Sequence, residues 1–320
     1  ADSLSVMRSG ARWLTLVSLG WALARWRRLR PRSLLDNAPL EKLLAKMVPL
    51  MRLPRLIQKG HLTALAVTAS SYSSGEHVTF YESAQAVQPW VRSQRKAARD
   101  RITHEHLLAS SAIPFVFPAK GITIDGHTEY FGDGSMRQSA PIAAAIHLGA
   151  ERVLVIGAGR MHEPRGDSAA PPSPSYPSLA QIAGHALSNI FLDALSVDVE
   201  RMQRINQTLS LIPEEKRTHS ALRPVELLVI APSQRLDAIA ARHVGDLPGP
   251  VRTMLGALGV TSNMADVRGA ALASYLLFEQ GYTQELMALG RADTLARRAD
   301  VCRFFGWKDT GAALRTRLPT

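Results

Sequence analysis

Glu129-Tyr-Phe-Gly-Asp-Gly-Ser-Met-Arg-Gln-Ser-Ala-Pro-Ile142 is the stretch whose reading decides the fold. It sets one carboxylate, Asp133, between Gly132 and Gly134 at the end of a short strand pattern. A glycine on each side lets the backbone turn sharply and lets other groups come close to the carboxylate. That arrangement suits a side chain presented to a site. It equally suits a plain β-turn, because Asp-Gly is a common turn dipeptide. The flanking sequence has to separate the two.

Downstream, Ile142–Gly149 reads as a short helix with a glycine stop, and Arg152–Gly157 as a buried parallel strand. Strand, Asp turn, helix and strand in that order predict an α/β layered sheet flanked by helices. Upstream, Leu62–Ala69 and His77–Tyr81 read as two strands joined by the polar turn Ser70–Gly75, a hairpin. Residues 91–109 read as a basic helix ending at Leu107-Leu108-Ala109. Ser110–Pro118, broken by Pro114 and Pro118, reads as a packed apolar loop. Nearer the start, Asn37 can cap a helix with Pro39 in its first turn and an apolar face of Leu40, Leu43 and Leu44. Residues 163–178 form an exposed loop, 179–209 are helical, and Val225–Ala231 is another buried strand that continues the sheet. From Leu236 to Gly306 the pattern is helical. The expected organisation is a basic apolar helical segment over 1–32, an α/β domain over 33–232, and a helical region over 233–320.

An apolar fraction of 46% against 20% charged residues places the chain among globular proteins rather than disordered ones. The single cysteine, Cys302, excludes an internal disulfide and fits a reducing, cytoplasmic setting. No apolar run reaches the length of a spanning helix. Of the net charge of +11, residues 1–60 hold +9, from twelve Lys or Arg against three acids. Such a basic end fits an anionic surface, and it also fits an arginine-rich solvated face. Residues 11–24 are apolar and lead into Arg25-Trp-Arg-Arg-Leu-Arg30. As a helix this run covers about 20 Å, too short to cross a bilayer. Trp21, Arg25, Trp26, Arg27, Arg28 and Arg30 suit a helix docked at the inner membrane face, and a helix lying on the protein's own core has the same pattern.

Residues 109–157 carry a family resemblance. Ala109-Ser-Ser-Ala-Ile-Pro-Phe-Val-Phe-Pro118, then Tyr130-Phe-Gly-Asp-Gly-Ser-Met-Arg-Gln-Ser-Ala-Pro141, then His147-Leu-Gly-Ala-Glu-Arg-Val-Leu-Val-Ile-Gly157 resemble the second half of a bacterial patatin-like phospholipase domain. The stretches Ser33–Leu40 and Leu65–Gly75, and Ala271–Glu279 in the helical tail, fit the same family, so the resemblance spans roughly residues 30–310. It implies a serine–aspartate dyad that hydrolyses lipid acyl esters without metal or cofactor. The serine sits in a G-x-S-x-G elbow, and the aspartate takes its proton with no intervening histidine. Matched by motif, Asp133 is the implied base, flanked by Gly132 and Gly134. Ser135 stands where the family usually has Gly or Ala.

The implied nucleophile has no match in these 320 residues. Ser73, in Ser71-Tyr-Ser-Ser-Gly75, lacks the first glycine and precedes a strand pattern where an elbow needs a helix. Ser18, in Leu16-Val-Ser-Leu-Gly20, lies in an apolar helical run. The expectation is therefore a chain that supplies the aspartate and lacks the serine, either as a fragment or as a non-catalytic lipid-surface or scaffold protein. His104-Glu-His106 reads as two surface histidines rather than metal ligands, since i,i+2 residues point apart on a helix and no ligand set completes them. Gly157-Ala-Gly159 lacks the third glycine and following helix of a dinucleotide site. No helix-turn-helix or RNA-binding signature accompanies the basic end, so nucleic acid is not an expected partner.

Overall fold

The structure is a computed structural model, and it describes residues 33, 35–136, 138–157, 182, 193–217, 222–257 and 273–309. The expected docking helix, with Trp21, Arg25, Trp26, Arg27, Arg28 and Arg30, lies outside these residues, as does the 163–178 loop. The fold is mixed α/β and divides into two compact units, Ala1–Gly134 and Ser135–Thr320.

The first unit carries a six-stranded sheet in the order β3-β4-β2-β1-β6-β5. Its strands are β1 Ala64–Ser71, β2 His77–Ser83, β3 Val91–Arg92, β4 Arg95–Arg99, β5 Lys120–Ile124 and β6 His127–Asp133. The expected hairpin is present, with β1 and β2 antiparallel and Ala69 opposite Val78. Alternation along these strands builds one apolar face. Val67 and Ala69 on β1 meet Phe80 and Val78 on β2, and Phe131 and Ile122 extend the cluster onto β6 and β5. Helix α1 (Ala38–Met47) starts at Asn37, with Pro39 in its first turn as read from the sequence. Its intended apolar face is only partly covered, and Leu43 stays 51% exposed. Leu53 and Ile57 of α2 (Leu53–Gln58) join the core instead.

The basic helix expected over 91–109 is not there. Val91–Arg92 and Arg95–Arg99 are strands, and only His104–Ser110, α3, is helical. Two features override the helical pattern. Gln94 adopts a left-handed φ of 58° that closes a tight turn, and β4 pairs in parallel with β2, Ala97 opposite Thr79. Trp90 stacks on Tyr81 with ring centroids 5.6 Å apart, which holds the start of this edge hairpin against the sheet. The two-residue β3 covers Arg95 and Lys96 of β4, so the sheet ends on a very short edge strand. Strand β5 was also not expected. It is joined to β6 by Asp125-Gly126, whose φ values of 51° and 81° are those of a two-residue hairpin turn. The packed loop over 110–118 is as expected, with Val116 buried and its N–H bonded to the Ile113 carbonyl.

The second unit contains α4 (Ala143–His147), β7 (Arg152–Ile156), α5 (Asp193–Ser210), α6 (Glu214–Arg217) and β8 (Glu226–Ile230). It continues with α7 (Leu236–His243), α8 (Gly249–Ala257), α9 (Gln280–Ala296) and α10 (Arg298–Phe305). Glycine ends α4 as expected, Gly149 taking φ 99°. Strands β7 and β8 are parallel, but they form a separate two-stranded sheet and do not continue the first. They are also less buried than expected: Leu154 and Ile156 remain 39% and 79% exposed. One apolar cluster of the unit is built from Ile142, Val199, Met202 and Val225. The Asn206 side chain donates to the Val225 carbonyl and accepts from its N–H, so one amide satisfies the backbone where β8 begins. The buried Asp198 carboxylate accepts the Ile142 N–H at 3.0 Å at the start of α4.

Candidate functional site

Asp133 is the last residue of β6 and lies opposite Ala69 of β1. Its side chain is half-buried. Two hydrogen bonds tie this strand end to the loop after α3: Asp133 N–H donates to the Ala112 carbonyl at 3.0 Å, and Gly134 N–H to the Ser110 carbonyl at 3.2 Å. The block Ala109–Pro118 thus touches the aspartate through its backbone, which is why these separated stretches work as one unit.

Both flanking glycines lie in close contact with β1 or the turn after it, Gly134 against backbone and Gly132 against a side chain. A Cβ at Gly134 would lie 1.9 Å from the Thr68 carbonyl oxygen, inside the body of β1. A Cβ at Gly132 would lie 2.5 Å from the Tyr72 hydroxyl. The triplet is therefore a strand end pressed against its neighbour. The hairpin turn of this region is the other Asp-Gly pair, Asp125-Gly126.

Tyr72 is the residue that sequence reasoning missed. It follows β1, its N–H donates to the Tyr130 carbonyl at 2.9 Å, and its ring lies over Gly132. Burial, and then the Asp133 carboxylate, push the Tyr72 phenol above its ordinary value, so it stays protonated beside that charge. Its place within a polar Ser-Gly turn hides this role. Only the register, with Ser70 opposite Gly132, carries Tyr72 over the site.

The nearby serines are occupied or wrongly set. Ser71 is buried, donates to Glu129 Oε2 at 2.7 Å, and accepts the N–H groups of Ser73 and Ser74 at 3.1 Å each. With its oxygen committed to this turn, Ser71 is a structural cap rather than a nucleophile. Glu129 in turn lies 3.9 Å from Lys96, which also reaches Glu76 at 3.6 Å. Ser73 sits in the turn between β1 and β2, so a strand follows it and the strand-to-helix geometry of an elbow is absent.

His104 and His106 do not share a site. His104 Nε2 bonds the Val48 carbonyl at 2.9 Å. His106, expected at the surface, is buried 4.5 Å from the Phe80 ring centroid. Its Nδ1 accepts from the Thr103 N–H and pairs with the Thr103 hydroxyl, capping α3, which puts the ring proton on Nε2. Burial lowers the His106 pKa, with Asp100 and Glu105 pulling weakly the other way. Among the described residues no group of three or more His, Cys, Asp or Glu is arranged to hold a metal ion. Gly157 ends β7 with its N–H on the Ile230 carbonyl, while Gly159 and His162 lie outside the described residues.

The family model of the patatin-like phospholipases matches residues 4–146. Over these residues the chain is similar to that family. The match takes in the whole six-stranded sheet and Asp133, and it begins within the basic amino-terminal segment. It ends at α4, so the resemblance read in the helical tail lies beyond it. No curated protein and no solved structure matches the chain. The family matched is one of phospholipases, enzymes that act on lipid substrates. Among the described residues no helix is long and apolar enough to cross a membrane.

Proposed function

We propose that Asp133 is the general base of a serine–aspartate lipid acyl hydrolase site and that this chain supplies that half of it. The observation that carries the reading is the backbone clamp on Asp133 and Gly134 from Ala112 and Ser110, within patatin-like sequence. The chemistry is acyl transfer in two steps. A serine oxygen attacks the ester carbonyl carbon while its proton passes to the Asp133 carboxylate, and the departing alcohol takes that proton. Water then attacks the acyl-serine, gives a proton to Asp133, and the serine oxygen recovers it as the fatty acid leaves. A hydroxyl is a weak nucleophile without such a base. Asp133, half-buried and held through its backbone, is the carboxylate that this reading assigns to that role. The basic segment with Trp21, Arg25, Trp26, Arg27, Arg28 and Arg30 is the part we assign to an anionic membrane surface.

No G-x-S-x-G occurs in these 320 residues. That fact favours a second reading, a non-catalytic lipid-surface or scaffold protein that keeps the fold. Turnover of a soluble p-nitrophenyl ester separates the two, measured on the chain mixed with a patatin-like segment that bears the elbow. Turnover that Asp133→Asn abolishes supports the dyad. Turnover that Asp133→Asn leaves intact removes Asp133 from the mechanism, and no turnover at all favours the scaffold.

A further inference from the structure

Phe115 is the most conspicuous misfit in the first unit. It has a left-handed backbone, φ 67°, and its side chain is 81% exposed. A bulky residue in that region is strained, and glycine would avoid the strain. Burial gives nothing back, because the ring points to solvent. The strain is imposed by well-fixed neighbours. Val116 and Phe117 N–H groups both bond the Ile113 carbonyl, at 3.1 and 3.0 Å, and the Val116 carbonyl accepts from Leu35 at 2.9 Å. Val116 is itself buried. The loop therefore holds an aromatic ring outward against both torsional and hydrophobic preference.

Its position gives this a meaning. Phe115 is three residues beyond Ala112, whose carbonyl holds the Asp133 N–H. Tyr72, over Gly132, and Tyr130, bonded to Tyr72 through the backbone, are 52% and 56% exposed. Each of these exposed aromatic residues is tied through the backbone to the Asp133 end of β6, Phe115 by way of Ala112 and Tyr72 by way of Tyr130. Amphipathic tyrosines and an apolar phenylalanine are the residue types that settle at a lipid–water boundary. We propose that Phe115 is a lipid-facing anchor, a ring that enters the acyl region of a lipid surface and sets the Asp133 end of β6 against it. This deepens the acyl hydrolase reading and rests on it. The strain is kept because the ring is useful outside the fold, as expected where stability and function conflict.

Two variants of the 320-residue chain separate anchor from packing. Phe115→Gly removes both ring and strain, and Phe115→Ala removes the ring and keeps the strain. Partition onto vesicles of phosphatidylcholine with 30 mol% phosphatidylglycerol, by co-sedimentation, should fall about five- to ten-fold for both variants, the loss expected for one buried aromatic. Urea unfolding should shift to a higher midpoint for Phe115→Gly and not for Phe115→Ala. Wild-type-like partition in both variants overturns the proposal, as does a lower midpoint in Phe115→Gly, which would make the ring a packing element. Failure of the dyad reading has a different signature. It appears as soluble-ester turnover insensitive to Asp133→Asn, with the Phe115 partition result unaffected.

Discussion

Replacing Gly134 with alanine tests the close approach on which the Asp133 geometry depends. The new Cβ would sit 1.9 Å from the Thr68 carbonyl oxygen, 2.6 Å from the Thr68 carbonyl carbon and 3.3 Å from the Ala69 nitrogen. All three are backbone atoms of β1, and no rotamer can move them. A tolerable carbon–oxygen contact is about 3.2 Å, so β1 and β6 must part by about 1 Å where Ala69 and Phe131 are fully buried. Overpacking of this kind costs 1–3 kcal/mol in ordinary cores, and a backbone obstacle puts it at about 3 kcal/mol or more. Gly132→Ala is the internal control. Its Cβ would lie 2.5 Å from the Tyr72 hydroxyl, the end of a half-exposed side chain that can swing away, at a cost of about 1 kcal/mol. Tyr72→Ala should then remove most of the Gly132→Ala penalty and none of the Gly134→Ala penalty. Urea unfolding of the three single variants and the two double variants with Tyr72→Ala measures all of this. A Gly134→Ala cost below that of Gly132→Ala, or no rescue by Tyr72→Ala, would refute the packing.

Two further expectations follow from titrating groups. The Tyr72 phenol titrates above its ordinary value because of burial and then the Asp133 charge. In Asp133→Asn its ultraviolet difference titration should therefore move to lower pH, and an unmoved curve would separate the two groups. In the second unit, His243 Nδ1 bonds Asp246 and its Nε2 bonds Glu285, each at 2.8 Å, linking α7 and the turn after it to α9. Both nitrogens can donate only in the imidazolium. The bond to Asp246 first, and then that to Glu285, raises the His243 pKa. His243, and then Arg242, lowers that of Glu285. The stabilisation from His243 is complete below about pH 6.5 and is lost as pH rises through the raised value. The Glu285 contribution is lost at the acid end, as pH falls through its lowered value. Unfolding measured from pH 6 to 9 should show the His243 loss in the wild type and a flat profile in His243→Gln. A slope that persists in the variant would contradict it.

What was legible in the sequence was local. The β1–β2 hairpin, the short helix after Asp133 and the parallel pair β7–β8 each declare themselves by alternation, by glycine punctuation or by an unbroken apolar run. What failed depended on partners far away in the chain. Arg95–Arg99 reads as helix because its alternation is blurred by alanines, and β2 makes it a strand through the parallel pairing of Ala97 with Thr79. The signal for β5 lies in Asp125-Gly126 between Ile124 and His127, a hairpin dipeptide that the nearby Asp133-Gly134 pair duplicates. At the candidate site, Asp133 is singled out by motif alone. Tyr72 and the obligatory character of Gly134 are not, because both follow from β1–β6 register, which no spacing along one strand encodes. His106 was misplaced for a related reason. Its neighbours His104 and Glu105 look solvated, while Phe80 and the cap from Thr103 draw its ring inward.

The central claim is that Asp133 is the base of an acyl hydrolase. Hydrolysis of p-nitrophenyl butyrate by this chain, together with an elbow-bearing patatin-like segment, tests it most directly when wild type is compared with the isosteric Asp133→Asn. The account predicts a fall in kcat of about 1,000-fold or more with the fold intact, the loss expected on removing a general base. Turnover in Asp133→Asn within a few-fold of wild type would contradict it.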